Sequence, residues 1–259
     1  MEPDFWLFAG VGFVAQIVDG ALGMAYGVVS STVLLAFGVP PATASASVHA
    51  AELFTTAASA GSHVIHRNVN RRLFLLLTAG GVVGGVIGAY VLTSIDGKLI
   101  KPWIVAYLGV MGGVILWRAA RGVRPRPVSA KWPAPLGLIG GFMDAVGGGG
   151  WGPTVTTTLV GSGASVRESI GTVNTAEFFV TAAISATFLV ALLTGHWSDA
   201  EGAIDHLWAI GGLIAGGLLA APMAGWVVKI APPRVLTWAV GLLVMGLAVY
   251  QSARLFKLI

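Results

Sequence analysis

The chain has 259 residues, of which 56% are hydrophobic and only 10% are Asp, Glu, Lys or Arg. A soluble domain carries roughly a quarter charged residues, so this composition excludes an ordinary soluble globule and makes the bilayer the solvent. The absence of cysteine excludes disulfides, thiolate metal sites and a cysteine nucleophile. The net charge of +4 sits in short loops between apolar runs, where it reads through the positive-inside rule and not as a nucleic-acid surface.

The N-terminus, MEPDF, is acidic where a signal peptide is basic, so the first apolar run is expected to stay in the protein. Residues 5–18 predict a helix of about 21 Å, short of a ~30 Å hydrocarbon core. Residues 19–27 interrupt it with a carboxylate and three glycines. Residues 28–39 are again short, and Pro40-Pro41 breaks the chain. Residues 48–65 predict a full helix closed by a basic loop with Arg67, Arg71 and Arg72. Residues 73–95 form a glycine-rich helix in which Gly81/Gly85 and Gly84/Gly88 have the spacing that lets membrane helices approach closely. Residues 102–117 are the next helix, followed by a connector with Arg118, Arg121, Arg124, Arg126 and Lys131.

The plan then recurs. Residues 135–143 are short, 144–152 are a glycine-rich break, 153–163 are short, and 173–194 are full length. Arg167 and Glu168 read as loop charges after the second break. The loop from His196 to Asp205 is acidic. Residues 207–228 carry the pair Gly212/Gly216, and 235–253 form the last helix.

The recurrence is a duplication. DGALGMAYGVVSSTVLL in the first half aligns without gaps on DAVGGGGWGPTVTTTLV in the second: Asp19 falls on Asp144, Gly23 on Gly148, Gly27 on Gly152, Glu52 on Glu177. The expected fold is an all-α integral membrane protein of two tandem repeats, residues 1–118 and 134–259, joined by a basic cytoplasmic connector at 119–133. It has about eight membrane helices, or six full helices plus two glycine-broken hairpins. If each break is a hairpin that enters and returns, each repeat has an odd number of crossings and the two are inverted. The Lys and Arg balance barely separates this from a parallel arrangement. The shortness of each half-segment favours inversion.

Two constellations carry chemistry. On one helix His49, Glu52, Thr56, Ser59 and His63 follow spacings of three and four and share a face. Asn174, Glu177, Thr181 and Ser185 make the matching stripe. An ionisable group inside an apolar run is costly and faces a partner or an aqueous path. Glu52 and Glu177, with Asp19, Asp144 and His49, are therefore proton-coupling candidates. The hydroxyls read more readily as helix–helix glue. The second constellation is the breaks themselves. Where a helix unwinds, backbone N–H groups and the positive end of the next half-helix can hold an anion, and paired broken helices mark transporter sites. Gly23, Gly27, Gly148, Gly149, Gly150 and Gly152, with Thr56, Asn174 and Thr181, are the substrate-binding candidates. For Asp19 and Asp144, capping of the following half-helix is the plain alternative. No GxSxG, HExxH or P-loop motif occurs, so no enzyme is expected, and no cofactor or metal is required.

A duplicated membrane chain of this length, with a glycine-rich break in each half, resembles the TauE/SafE family, also called the 4-toluene sulfonate uptake permease family. DAVGGGGWGPTVTTTLV is the most specific piece, and the first copy departs from it with Val28 where the second has Pro153. The resemblance implies a multi-pass permease or exporter of the bacterial cytoplasmic membrane. It implies secondary transport of a small anion, a sulfur oxyanion such as sulfite or an organosulfonate. The partners so implied are that anion and the lipid bilayer, with protons as the coupling ion proposed from the carboxylates and no nucleic acid. The glycine faces leave homo-oligomers open. A passive anion channel, or a proton-coupled metal or cation permease using His49, His63, Glu52 and Glu177, would use the same residues.

Overall fold

The computed structural model describes residues 3–22, 24–121, 132–161, 166–197, 207–230 and 233–258. Among these there are helices and no strand. Helices α1 (Pro3–Leu22) and α2 (Tyr26–Ala36) flank the first break, and α3 (Pro41–Ile65), α4 (Arg71–Ser94) and α5 (Gly97–Arg121) follow. Helix α6 (Pro133–Gly147) leads to the second break. A π-helical turn, Gly152–Thr156, then runs into α7 (Thr157–Gly161), and α8 (Val166–Leu193), α9 (Leu207–Ile230) and α10 (Pro233–Leu255) complete the bundle.

Several boundaries differ from the expectation. Asp19 and Asp144 do not open the breaks; each lies in the last turn of the helix before it. Helix α6 ends only where Gly148 turns left-handed, at φ 67°. Helix α3 begins at Pro41, because a first-turn proline lacks only an N–H that no helix could use. Glu168 is not a loop charge: it lies in the first turn of α8, and its Oε1 accepts from Asn70 Nδ2 at 2.8 Å. Gly23, most of the connector and the Arg167 side chain lie outside the described residues.

The residue contacts fix the direction of each helix. The start of α8 meets the α3–α4 loop, where Thr172 Oγ1 accepts from Asn70 N. Its far end meets the end of α4, where Ser94 Oγ bonds His196 Nε2 at 2.8 Å. Helix α1 runs alongside α9 in the same direction, and α6 runs alongside α4 in the same direction. Helices α5 and α10 are antiparallel, with Gly112 on Met245 and Gly241 on Leu116. Followed from loop to loop, α1 enters and α2 returns to one end of the bundle, while α6 enters and α7 returns to the other. The packing is exchanged in kind between the halves: α1 on α9 and α6 on α4, α3 on α9 and α8 on α4, α3 on α8, α5 on α10.

The glycines make these approaches possible, and they do so within one chain. A Cβ at Gly84 would lie 2.0 Å from the Leu138 carbonyl of α6, and one at Gly216 would lie 1.9 Å from the Ala9 carbonyl of α1. Gly81 and Gly85 take the other face of α4, against Trp151, Val180 and Ile184. Gly84→Ala is therefore expected to lower stability by about 1–3 kcal/mol, seen as a lower unfolding midpoint in detergent. An unchanged midpoint would show that α4 and α6 can part at no cost.

Helices spanning Arg71–Ser94, Gly97–Arg121, Glu168–Leu193 and Thr237–Leu255 are long and apolar enough to cross a bilayer, and α3 and α9 match them in length at 25 and 24 residues. Their outward side chains are large and apolar: Trp103 is 78% exposed and Leu219 69%. Ser30, Ser31, Thr32, Ser45, His49, Glu52 and Asp144 are buried, an arrangement that suits lipid outside and a polar centre within.

Candidate functional site

The two breaks touch. A Cβ at Gly149 would lie 2.1 Å from Val28 N, and one at Gly27 would lie 2.5 Å from the Gly149 Cα. Backbone meets backbone there, which only glycine permits. Gly149 also has φ 152°, a conformation side chains rarely adopt.

In the second break one residue takes every donor. Gly148 N and Gly149 N donate to the Asp144 carbonyl at 2.7 and 3.2 Å, and Gly150 N and Trp151 N donate to Asp144 Oδ1 at 2.7 and 2.9 Å. Four successive amides thus end on Asp144. Of the N–H groups expected to hold an anion, those of Gly148 and Gly149 are engaged by a backbone carbonyl and that of Gly150 by a carboxyl oxygen at the mouth of a helix. The first break is a sparser version, in which Tyr26 N donates to Asp19 Oδ1 at 3.4 Å. The capping role considered for both acids is therefore present, with Asp144 the stronger cap.

The first break is also strained. Ala25 has φ 132°, at the position where the second copy has Gly150. Such a conformation costs of order 1–3 kcal/mol in a residue with a Cβ. Ala25→Gly is expected to raise the unfolding midpoint by a few degrees, because strain relief exceeds the ~0.5–1 kcal/mol entropic penalty of glycine. A lower midpoint would mean that the buried methyl contributes more than the strain costs.

Helix α3 supplies the other side of the site. His49 is fully buried. Its Nδ1 lies 2.8 Å from the Ser45 carbonyl, and the Ser45 hydroxyl spends its proton on the Ala145 carbonyl. Nδ1 therefore faces only acceptors and carries hydrogen. Its Nε2 stands 3.3 Å from Asp144 Oδ2, so imidazole and carboxyl are placed to pass a proton between them. One turn along, Glu52 Oε2 is buried without a protein partner, while Oε1 lies over Gly27. Glu52 is within electrostatic reach of Asp144, Glu177 and Asp19, and Glu177 within reach of both aspartates. The five residues expected to handle protons thus share one locality. Tyr26 closes it on one side, its hydroxyl donating to the Leu213 carbonyl at 3.0 Å. Tyr107 closes it on the other, over Gly147 and Gly150.

The remaining candidates divide. Thr56 Oγ1 bonds back to the Glu52 carbonyl at 2.6 Å, and Asn174 Nδ2 donates to Ser59 Oγ at 3.2 Å, joining α3 to α8. Asn174 thus acts as the helix glue considered for the stripe, whereas the Thr56 bond stays within α3. Thr181 is fully buried and its hydroxyl has no protein partner. Gly152 begins the π-helical turn, a distortion common at functional sites. His63 lies against Gly171 and Asn68, about 21 Å along α3 from His49, so it is not part of the carboxylate cluster. Ser45, Tyr26 and Tyr107 were not singled out from sequence. Ser45 had a signal, since it precedes His49 by one turn.

Two helical hairpins meeting over buried acids, in a bundle with an apolar exterior, define a multi-pass membrane protein with a broken-helix site. Residues 8–251 match the family described as Sulfite exporter TauE/SafE, and the chain belongs to that family of membrane transporters. It is 42% identical over 255 residues to a Bacillus subtilis (strain 168) protein named "Probable membrane transporter protein YtnM", the match covering 96% of this chain and 81% of that one. No solved structure matches it.

Proposed function

We propose that the chain is a secondary transporter of the bacterial inner membrane, built from two inverted repeats, that moves a small sulfur oxyanion such as sulfite together with protons. The observation that carries this reading is Asp144: its Oδ1 accepts from Gly150 N and Trp151 N while its Oδ2 stands 3.3 Å from His49 Nε2. A proton placed on Asp144 neutralises the carboxyl and loosens its hold on the two amides. A substrate anion can then accept the same hydrogen bonds. Further protons taken up by Glu52 and Glu177 offset the charge. Without them each carboxylate would oppose an anion by roughly 3 kcal/mol at ~5 Å and an effective dielectric near 20. The contact between Gly27 and Gly149 closes the path between the hairpins, so passage requires one hairpin to rock away from the other.

The test is sulfite flux in proteoliposomes with and without an imposed pH gradient. Glu52→Gln and Glu177→Gln are each expected to lower gradient-driven flux and flatten its pH dependence. If both variants keep wild-type flux and pH dependence, proton coupling through these carboxylates is wrong.

One observation favours a second reading, transport of a divalent metal. His49, Glu52 and Asp144 each offer a ligand atom within 4.8 Å of the others. Nδ1–H on the Ser45 carbonyl leaves Nε2 as the metal-facing nitrogen. A zinc- or manganese-induced stability gain that His49→Ala abolishes, with no response to sulfite, would favour it.

A further inference from the structure

A second polar site lies away from the carboxylates, at the end of the bundle where α2 and α10 finish and α5 begins. A cavity of ≈ 260 Å³ is lined there by Leu35, Gly38, Lys101, Gln251 and Arg254, among others. Lys101 and Arg254 are within electrostatic reach of each other, and among the described residues no carboxylate pairs with either. Two cations converging on one hollow with no acid between them repel.

The ordinary reason for cations at such a place is to satisfy the last carbonyls of a helix. Here the backbone already does that. The carbonyls of Val33, Leu34 and Leu35 accept from Phe37 N, Val39 N and Gly38 N, and those of Ser252, Ala253 and Arg254 accept from Phe256 N, Leu258 N and Lys257 N. Gln251 is 3% exposed and forms part of the wall. Its Nε2 donates to the Thr32 carbonyl at 3.4 Å, and its Oε1 has no protein partner. The Arg254 guanidinium lies over the Tyr250 ring, 5.8 Å from its centroid, and meets no acid. The cavity therefore offers two cationic side chains without an acid partner among the described residues and one uncommitted acceptor. A protonated oxyanion, charged on some oxygens and bearing a hydroxyl on another, complements all three. Phe37, Leu99, Trp103 and Phe256, neighbours of the lining residues in sequence, are all exposed, so the hollow stands beside the lipid-facing surface.

We propose that this cavity is an oxyanion-binding site for a phosphate-like group, held by Lys101 and Arg254 with Gln251 as acceptor. That group is either free in solution or the headgroup of an anionic lipid. The test is the unfolding midpoint of the full chain in detergent, with inorganic phosphate or phosphatidylglycerol added. Sodium chloride at equal ionic strength and phosphatidylcholine serve as controls. Wild type is expected to gain several degrees from at least one oxyanion source. Lys101→Gln/Arg254→Gln should lose that gain, and Lys101→Arg should keep it. In plain detergent the double variant should be at least as stable as wild type, because it removes a repulsion. A gain from phosphate identifies a site open to free anions, and a gain from phosphatidylglycerol alone identifies a lipid site. No gain in wild type, or an equal gain in the double variant, overturns the proposal. Should the double variant fold poorly, Lys101→Gln alone is expected to reduce the gain.

Discussion

Asp144→Asn is expected to leave the protein folded and to cut pH-gradient-driven anion flux by ~100-fold or more, the scale of losing a positioned proton-transfer group. The amide keeps Oδ1, so Gly150 N and Trp151 N retain their acceptor. Its Nδ2 replaces Oδ2 and donates to His49 Nε2, which stands 3.3 Å from Oδ2 in the native site. The hydrogen bonds are conserved in number and become neutral, a loss of about 1 kcal/mol. What disappears is the ability to take a proton and release the two amides. Asp144→Ala separates the two roles. It leaves both buried N–H groups without an acceptor, at about 1–3 kcal/mol each, so its unfolding midpoint should fall well below that of the Asn variant. Equal flux in wild type and Asp144→Asn would make Asp144 a cap and nothing more.

Gly149→Ala is expected to abolish transport and to destabilise the fold severely. Two independent effects add. The residue sits at φ 152°, which costs of order 1–3 kcal/mol in an alanine. The new methyl would also lie 2.1 Å from Val28 N and 2.2 Å from the Gly27 carbonyl carbon. Those are backbone atoms of the opposite hairpin and cannot rotate away as a side chain would. The hairpins must separate, and Asp144, Glu52 and His49 lose their common contact. The readouts are yield of monodisperse protein, unfolding midpoint and flux. Wild-type values in all three would mean that the breaks do not meet as described.

The stripe on α3 was legible in sequence because a helical face is a periodicity, and a costly acid inside an apolar run stands out. The breaks were legible because glycine and proline interrupt such runs. What sequence did not supply was the accounting of donors. Nothing in DAVGGGGWGP says that Asp144 collects four amides, two on its carbonyl and two on its side chain, because that depends on Gly148 turning left-handed and on α3 closing from the side. Pro41 misled in a specific way: read as a breaker, it shortened α3 and hid Ser45, whose carbonyl fixes the His49 tautomer. Ala25 was invisible for the opposite reason, since only comparison with Gly150 hints at a backbone that alanine tolerates poorly. Tyr107 carries no local signal, because α5 reaches the site through tertiary packing alone.

The most direct measurement is simultaneous recording of sulfite movement and lumenal pH in proteoliposomes, comparing wild type with Asp144→Asn. Saturable sulfite movement in the wild type, accompanied by proton movement in fixed proportion and lost in the variant, is the expected result. Sulfite movement that leaves lumenal pH unchanged and is as fast in Asp144→Asn would contradict proton coupling at this site.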